Sequence, residues 1–278
     1  MITVKEVAFS YRKGTELFQN MNLSLLPGSI YGLLGKNGAG KTTLLKLICG
    51  LSFPVEGTIK VGGYTPSKRD VAFLADIFFL TEEIYIAERT PKEMEDFLAP
   101  FYPHFDKTLF QQLLFQLEVE YTAKLQQLSF GQKKKAMIAF AIACKTKYLF
   151  LDEPTNGLDI PSKALFRSII ASTYDENRIT VISTHQVRDL QSLIDRVIIL
   201  NDHQIQLNVS LDEVSEKLTF GHGSIIPDGV ETLYSASGEL GKSYILKNNG
   251  QTQGQVDLET LFTGFVSNPK TFNPILNA

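Results

Sequence analysis

Short, continuously apolar runs recur along residues 1–208 and predict the strands of a central sheet. The runs lie at residues 2–9, 29–34, 58–61, 71–74, 148–151, 179–183 and 197–200. The stretches 41–49 and 90–147, and the residues between 151 and 179, have the periodicity of helices. Fully apolar strands that alternate with helices are typical of sheets buried on both faces, so we predict an α/β fold with a mostly parallel sheet. The first residues alternate more regularly, which predicts an antiparallel β subdomain.

The pattern changes after about residue 208. Residues 222–256 are rich in Gly, Ser, Asn and Gln and contain short alternating runs such as 243–246. We therefore assign residues 1–208 to one large domain and residues 209–278 to a small C-terminal α+β domain. Internal repeats are not visible.

Composition limits the classes of function. The chain has 278 residues, 44% of them hydrophobic, and a net charge of −3, which gives no electrostatic footprint for nucleic acid. Its two cysteines, Cys49 and Cys144, lie in apolar stretches and are predicted to be buried thiols. No apolar run reaches the ~18 residues of a membrane-spanning helix. We expect a soluble, cytoplasmic protein that needs another chain to act across a membrane.

A glycine-rich segment, GKNGAGKT at residues 35–42, lies between an apolar strand and a helix. It fits the phosphate-loop pattern G-x-x-x-x-G-K-[S/T], in which Lys41 reaches the β- and γ-phosphates and the Thr42 hydroxyl binds Mg²⁺. Thr43 either contacts the α-phosphate or is an ordinary first-turn threonine. A helix N-terminus favours a polyanion here. The predicted phosphate-binding residues are Gly35, Asn37, Gly38, Ala39, Gly40, Lys41, Thr42 and Thr43.

Two acids, Asp152 and Glu153, follow the apolar run 148–151. Ligands of α/β proteins bind at the carboxyl edge of the sheet, where these side chains are predicted to lie. We predict that Asp152 holds Mg²⁺ through its water shell. Phosphoryl transfer needs an oriented nucleophile and neutralised charge, and we predict that Glu153 orients or deprotonates the attacking water.

A histidine follows another strand at the same predicted edge. His185 comes after the run 179–183, so it is predicted to hydrogen-bond the γ-phosphate. The alternative is a structural histidine. The other histidines lack such a context and are predicted to be surface residues: His104, His203 and His222.

The sequence LSFGQ at residues 128–132 completes a set of motifs that resembles the ATP-binding subunits of ABC transporters. The resemblance covers most of residues 1–208, although Phe130 stands where glycine is commonest. It implies a P-loop NTPase fold of the ABC ATPase type, with a helical subdomain at about residues 89–147, and it implies ATP and Mg²⁺ as ligands. Ser129 is also a good N-cap for the helical stretch that follows.

The same resemblance implies roles for residues far from the phosphate loop. The signature motif of the family contacts the nucleotide held by a second subunit, so a head-to-tail dimer with two composite sites is implied. GLD at residues 157–159 resembles the loop that links the two sites, and it also fits a tight turn. Tyr11 matches the aromatic residue that stacks on adenine, or is a strand aromatic. The implied nucleotide-site residues are Tyr11, Ser129, Gly131, Gln132 and Asp159.

One stretch departs from the family pattern. VAFLAD at residues 71–76 aligns with a segment that usually ends in glutamine, so Asp76 is predicted to stand at the metal. Its shorter anionic side chain would meet Mg²⁺, directly or through water, or repel the γ-phosphate. The lysines of 133–135 are predicted to form a solvated helix face.

The resemblance implies an ATP-hydrolysing subunit that works with a second ATPase subunit and a separate transmembrane permease at the inner face of the membrane. VDLETLF at residues 256–262 resembles the end of bacterial drug- and antibiotic-exporter ATPases and favours export. A soluble ABC-type ATPase that acts in assembly is the alternative. A binding-only module is disfavoured by Asp152 and Glu153. Three questions stay open: which substrate is transported, whether the dimer is a homodimer or a heterodimer, and what residues 209–278 do.

Overall fold

The computed structural model describes residues 1–12, 14–83, 90–227, 229–238, 241–248 and 254–276. The strands are β1 (Ile2–Arg12), β2 (Thr15–Leu25), β3 (Ser29–Leu34), β4 (Glu56–Val61), β5 (Ile77–Leu80), β6 (Tyr148–Asp152), β7 (Ile179–Thr184), β8 (Arg196–Asn201), β9 (Gln204–Ser210), β10 (Leu218–Gly223), β11 (Thr232–Gly238) and β12 (Gly241–Lys247). The α-helices are α1 (Lys41–Ile48), α2 (Val71–Ala75), α3 (Pro91–Leu98), α4 (Lys107–Gln116), α5 (Phe130–Ala143), α6 (Ile160–Ser172), α7 (Leu211–Lys217), α8 (Leu258–Ser267) and α9 (Pro269–Leu276). Over these ranges, no helix has both the length and the apolar character required to cross a bilayer.

The central sheet has six strands in the order β5-β6-β7-β3-β8-β9. Neighbouring strands from β5 to β8 are parallel, and β9 runs antiparallel to β8, which confirms the predicted mostly parallel sheet. The register pairs Leu34 with Thr184 and Asp152 with Ser183, so the carboxyl ends of β3, β6 and β7 meet at one edge. The polar residues that follow these strands therefore converge there.

A three-stranded antiparallel sheet, β2-β1-β4, forms the predicted antiparallel β subdomain. It packs against one face of the central sheet and against α1. The alternation of buried and exposed positions along β1 and β2 orients one face of this sheet toward the core. Phe18, Leu45 and Phe150 are fully buried in this layer. The contact fixes α1, and therefore the loop that precedes it.

The predicted strand at residues 71–74 is wrong. These residues form α2, and the adjoining strand is β5, which begins at Ile77. Only Phe73 of α2 is buried, whereas Ile77, Phe78 and Leu80 of β5 are buried. A short apolar run does not distinguish a strand from a helical turn, and the tract VAFLADIFFL offers two such runs.

The helical subdomain comprises α3, α4 and α5; its predicted start at residue 89 lies outside the described residues. Thr90 and Glu93 form a capping box at the start of α3, and Pro91 occupies the first turn of the helix. Phe110 packs edge-on against Phe140 of α5. Phe140 also contacts Phe78 of β5, so the helices share a core with the central sheet.

The C-terminal segment is α+β as predicted. It contains α7, an antiparallel sheet in the order β10-β12-β11, and the helices α8 and α9. The division at residue 208 stays a prediction, and β9 of the central sheet crosses it. Phe265 and Phe272 belong to the same buried cluster as Ile199 and Leu207, so the C-terminal helices pack on the large domain.

This shared core predicts that Phe265→Ala destabilises the whole chain. Removing a fully buried phenylalanine costs about 3–5 kcal/mol. Urea unfolding followed by far-UV circular dichroism and tyrosine fluorescence should show one shifted transition, since the chain has no tryptophan. Phe115→Ala is the control, because Phe115 is 85% exposed. Two separate transitions, with the first domain unaffected by Phe265→Ala, would contradict the shared core.

Candidate nucleotide site

The loop between β3 and α1 follows a path that requires glycine at two positions. Gly40 has φ of 107°, and a Cβ there would lie 2.7 Å from the Phe18 ring. A Cβ on Gly35 would lie 2.5 Å from the Leu200 carbonyl oxygen. Only glycine fits both constraints without displacing the backbone. The Ala39 N–H donates to Lys36 O (3.1 Å) within the loop. The first N–H groups of an α-helix have no acceptor within the helix, so those of α1 are directed toward the loop that precedes it.

Lys41 is buried beside this loop. Its Nζ donates to Gly35 O (2.7 Å) and lies 3.7 Å from Glu153 Oε1. Burial lowers the pKa of Lys41 from its usual value, and the charges of Glu153 and Asp152 oppose that shift. A buried ammonium beside a ring of amides is an arrangement that fits phosphate oxygens.

Asp152 connects the loop helix to the end of β6. Its Oδ2 accepts from Thr42 Oγ1 (2.6 Å), and its Oδ1 accepts from Ser183 Oγ. The carboxylate is almost fully buried. A hydroxyl and a carboxylate are hard oxygen donors, so the pair fits Mg²⁺, which retains water ligands and binds few protein groups.

Glu153 lies at the start of the turn after β6 with φ of 47°, a conformation that is uncommon for a residue with a side chain. Its Oε2 accepts from Thr184 Oγ1 (3.1 Å), and its Oε1 accepts from the His185 N–H (3.0 Å). His185 Nδ1 lies 2.8 Å from the same Oε1. His185 therefore lies at the same sheet edge as Glu153, as predicted, and their roles toward a nucleotide stay predictions.

The contact orients the imidazole. An ionised carboxylate only accepts, so Nδ1 of His185 donates to Glu153 when that acid is ionised. The other ring nitrogen, Nε2, is then the one that faces away from Glu153, and the predicted bond from His185 to the γ-phosphate stays a prediction.

A pocket of about 250 Å³ lies between Lys41, Thr42, Asp152 and Glu153, and His185 contacts Glu153 from outside the pocket lining. The pocket is lined by the loop, both acids and Tyr11, whose hydroxyl lies 2.8 Å from Thr43 Oγ1. The Tyr11 ring is exposed at the mouth of the pocket, and stacking on adenine stays a prediction. Within the loop, Gly35 and Ala39 are buried and Asn37 is exposed.

The structure contradicts the prediction that Asp76 meets the metal. Asp76 precedes β5, and its carboxylate pairs with Lys147 Nζ (2.7 Å), just before β6. Both residues lie at the amino edge of the sheet, opposite Asp152. The acid that follows β5 is Glu82, which lines the pocket and accepts from Asn156 Nδ2 (2.9 Å). Glu82 was not among the predicted site residues, because the strand was predicted at residues 71–74 and not at 77–80. The apolar run 77–80, followed by two acids at residues 82 and 83, is the pattern that indicates Glu82.

The signature residues lie apart from the lining of this pocket. Ser129 caps α5 by accepting from the Gln132 N–H (3.2 Å), as predicted, and Gln132 Oε1 accepts from the Ser129 N–H. Asp159 caps α6 by accepting from the Ser162 N–H (2.9 Å). Gly131 packs on the Gly157 carbonyl. Their predicted contacts with nucleotide stay predictions.

Two further residues make contacts that the sequence did not predict. His203 is exposed as predicted, but its Nδ1 also lies 3.1 Å from Ala39 O and so contacts the phosphate loop. Lys134 was predicted on a solvated face and is fully buried, with Nζ 2.6 Å from Glu153 O. Neither contact leaves a signal in the sequence pattern, because both depend on tertiary packing.

Comparison with known proteins agrees with this geometry. The family model described as ABC transporter matches residues 18–156. The molybdate import ATP-binding protein MolC of Haemophilus influenzae is 30% identical over 228 residues, covering 78% of this chain and 86% of that protein. The SkfA peptide export ATP-binding protein SkfE of Bacillus subtilis is 30% identical over 226 residues, covering 78% and 92%.

Solved structures support the fold. A dimeric bacterial ABC transporter cassette superposes with a TM-score of 0.68 at 23% identity, covering 76% of this chain and 99% of that one. The same cassette is also known in a post-hydrolysis state with ADP and Pi. At this identity, the likeness shows a common fold.

The positions of Asp76 and Glu82 predict different effects of matched neutral variants. Glu82→Gln should raise the Mg²⁺ concentration needed for half-maximal ATP turnover roughly several-fold, because one carboxylate leaves the pocket. Asp76→Asn should leave it unchanged, because Asp76 is at the other edge. Steady-state phosphate release across a Mg²⁺ titration measures both. The reverse ranking would restore Asp76 to the metal.

Proposed function

Because the chain belongs to the ABC transporter family and is an ATP-binding ATPase subunit of that family, we propose that it drives a membrane exporter by closing and reopening a dimer. The observation that carries the proposal is the convergence of Lys41, Asp152, Glu153 and His185 at one sheet edge. Each group has a distinct task in phosphoryl transfer.

The phosphate side holds the substrate. The N–H groups at the start of α1 and the Lys41 ammonium bind the β- and γ-phosphates of ATP. Thr42 and Asp152 hold Mg²⁺, which supplies charge neutralisation when bound. His185 is oriented by the contact of its Nδ1 with Glu153 and meets the γ-phosphate through Nε2.

The water side depends on Glu153. Its Oε1 and Oε2 are held by Thr184 and His185, so the carboxylate is oriented before substrate binds. We assign it the task of orienting the attacking water and accepting its proton. The bond from phosphorus to the leaving oxygen breaks as the new oxygen bond forms, giving ADP and phosphate.

A second cassette completes the site. Ser129 and Gly131 lie at an exposed helix N-terminus outside the pocket of their own chain, and such a terminus binds anions. A head-to-tail dimer brings each terminus to the γ-phosphate held by the other chain. One chain carries every element, so two copies suffice.

The membrane subunit docks in a separate groove. A groove of about 580 Å³ lies between α2, β5 and residues 98–102, and its lining is largely apolar. Val71 is 84% exposed and Phe101 65% exposed. Exposed apolar side chains on this scale indicate a protein contact. Thr81 lines the same groove and is adjacent to Glu82, so a permease bound there reaches the nucleotide pocket through one residue of chain.

Export is the direction we propose for the transport. SkfE is described as a peptide exporter subunit and MolC as a molybdate import protein, at the same identity. The C-terminal stretch 256–262, with its resemblance to exporter ATPases, favours the first. The transported compound is chosen by the membrane subunit.

Glu153→Gln is predicted to trap the ATP-bound dimer. The amide cannot take a proton from water, so ATP persists and the closed dimer accumulates. Light scattering at saturating ATP and Mg²⁺ should show a doubled molar mass. Lys41→Ala in the same background is the control and should remain monomeric. A monomeric Glu153→Gln chain that still binds ATP would contradict the composite site.

Charges in the groove should break the contact with the permease. Val71→Glu and Phe101→Glu place a carboxylate in the proposed apolar contact, while Phe115→Glu alters an exposed phenylalanine of α4 outside it. Detergent extraction with a tagged permease from the same cells should recover the Phe115 variant and lose the other two. Equal recovery of all three would move the docking surface elsewhere, and a wild-type chain found only in the soluble fraction would favour an assembly role.

A further inference from the structure

Lys134 is a buried cation in the middle of a run of three lysines. It has 0% exposure, whereas Lys133 and Lys135 on either side are only partly buried. Removing an ammonium from water opposes folding unless specific partners replace the lost hydration. A lysine in this position therefore needs an explanation that a solvated helix face does not give.

Its partners connect the signature helix to the catalytic edge. Nζ donates to the main-chain oxygen of Glu153 at 2.6 Å. The Phe130 ring lies over the ammonium, with its centroid 5.4 Å from Nζ. Burial lowers the pKa of Lys134, and Glu82, Glu153 and Asp152 act in the opposite direction.

Phe130 and Lys134 are four residues apart and therefore share a face of α5. Gly157 makes room for this pair, since a Cβ there would lie 2.6 Å from the Phe130 ring. The residue that departs from the signature pattern thus covers the lysine.

The bond acts on a backbone in an unfavourable conformation. The left-handed conformation of Glu153 is unfavourable for a residue with a Cβ and persists only where neighbouring groups hold it. The Glu153 N–H donates to Ser183 O (3.1 Å), and its carbonyl accepts from Lys134 Nζ (2.6 Å) and from the Asn156 N–H (3.2 Å), so Lys134 supplies the shorter of two bonds. With both ends of the residue fixed, the side chain is directed at Thr184 and His185.

We propose that Lys134 is a positioning residue for Glu153. Lys134 couples the orientation of the Glu153 side chain to the N-terminus of α5, the helix that begins at the signature motif. The inference rests on the proposed role of Glu153. Lys134 lies one helical turn after Phe130, so a shift of the signature motif on dimer closure is transmitted to the Glu153 carbonyl. The carboxylate, which is already oriented in the single chain, thereby becomes sensitive to assembly of the dimer.

Lys134→Met tests the proposal, because it keeps the volume and removes the donor. A misdirected carboxylate should lower kcat by roughly 10- to 100-fold. The KM for ATP should stay within about twofold, since the phosphate loop is untouched. Lys133→Met and Lys135→Met are matched controls on the same helix and should keep wild-type kcat. Thermal unfolding confirms that each variant is folded.

A double-mutant cycle separates positioning from a general structural effect. In the Glu153→Gln background, single-turnover phosphate release should not fall further when Lys134→Met is added, because the acid it positions is gone. Lys134→Gln keeps an N–H donor on a shorter side chain, so its kcat should be higher than that of Lys134→Met. If the Met variant does not fold, the Gln variant carries the same cycle.

Three results would overturn the proposal. The first is a wild-type kcat in Lys134→Met, and the second is a fall in kcat no larger than that of Lys133→Met and Lys135→Met. The third is that Lys134→Met lowers phosphate release in the Glu153→Gln background as much as it does in the wild type. The failure of the proposed function is distinct. In that case Glu153→Gln alone leaves kcat unchanged, whatever Lys134 does.

Discussion

The end of β6 is the constraint on which the rest of this structure depends. Asp152 and Glu153 are consecutive, yet one faces Thr42 and Ser183 and the other faces Thr184 and His185. The chain achieves this by turning into a left-handed conformation at Glu153. The turn works only because β6 lies beside β7, and β7 beside β3, so the hydroxyls and the loop arrive at the same edge.

The same edge concentrates buried charge. Lys41, Lys134, Asp152 and Glu153 are nearly or fully buried, and each is held by a hydrogen bond. Desolvation of these groups opposes folding, and their mutual attraction offsets it only in part. Dipoles and charges fixed in advance need no reorganisation during the reaction, which is how enzymes stabilise developing charge. The large packed cores on both faces of the sheet supply the stability that this arrangement requires.

The sequence predicted the parts whose chemistry is local. The glycine spacing of residues 35–42, the acids after an apolar strand and the Ser129 cap are each set by neighbouring residues. It failed where a choice depended on tertiary contacts. Asp76 was placed at the metal because two apolar runs compete in residues 71–80, and only the pairing of β5 with β6 decides between them. Lys134 looked solvated because the covering ring of Phe130 and the Glu153 carbonyl come from tertiary packing.

The central claim is that each chain holds half of an active site. Its most direct test is the ATPase activity of two inactive variants, Lys41→Ala and Ser129→Arg, measured across their mixing ratio. Each variant alone spoils both sites of its own dimer, whereas a mixed dimer pairs the intact loop of one chain with the intact signature helix of the other. If the sites are composite, the mixture has activity that neither variant has alone, with a maximum near equal proportions. Activity that never exceeds the sum of the two separate variants would contradict it.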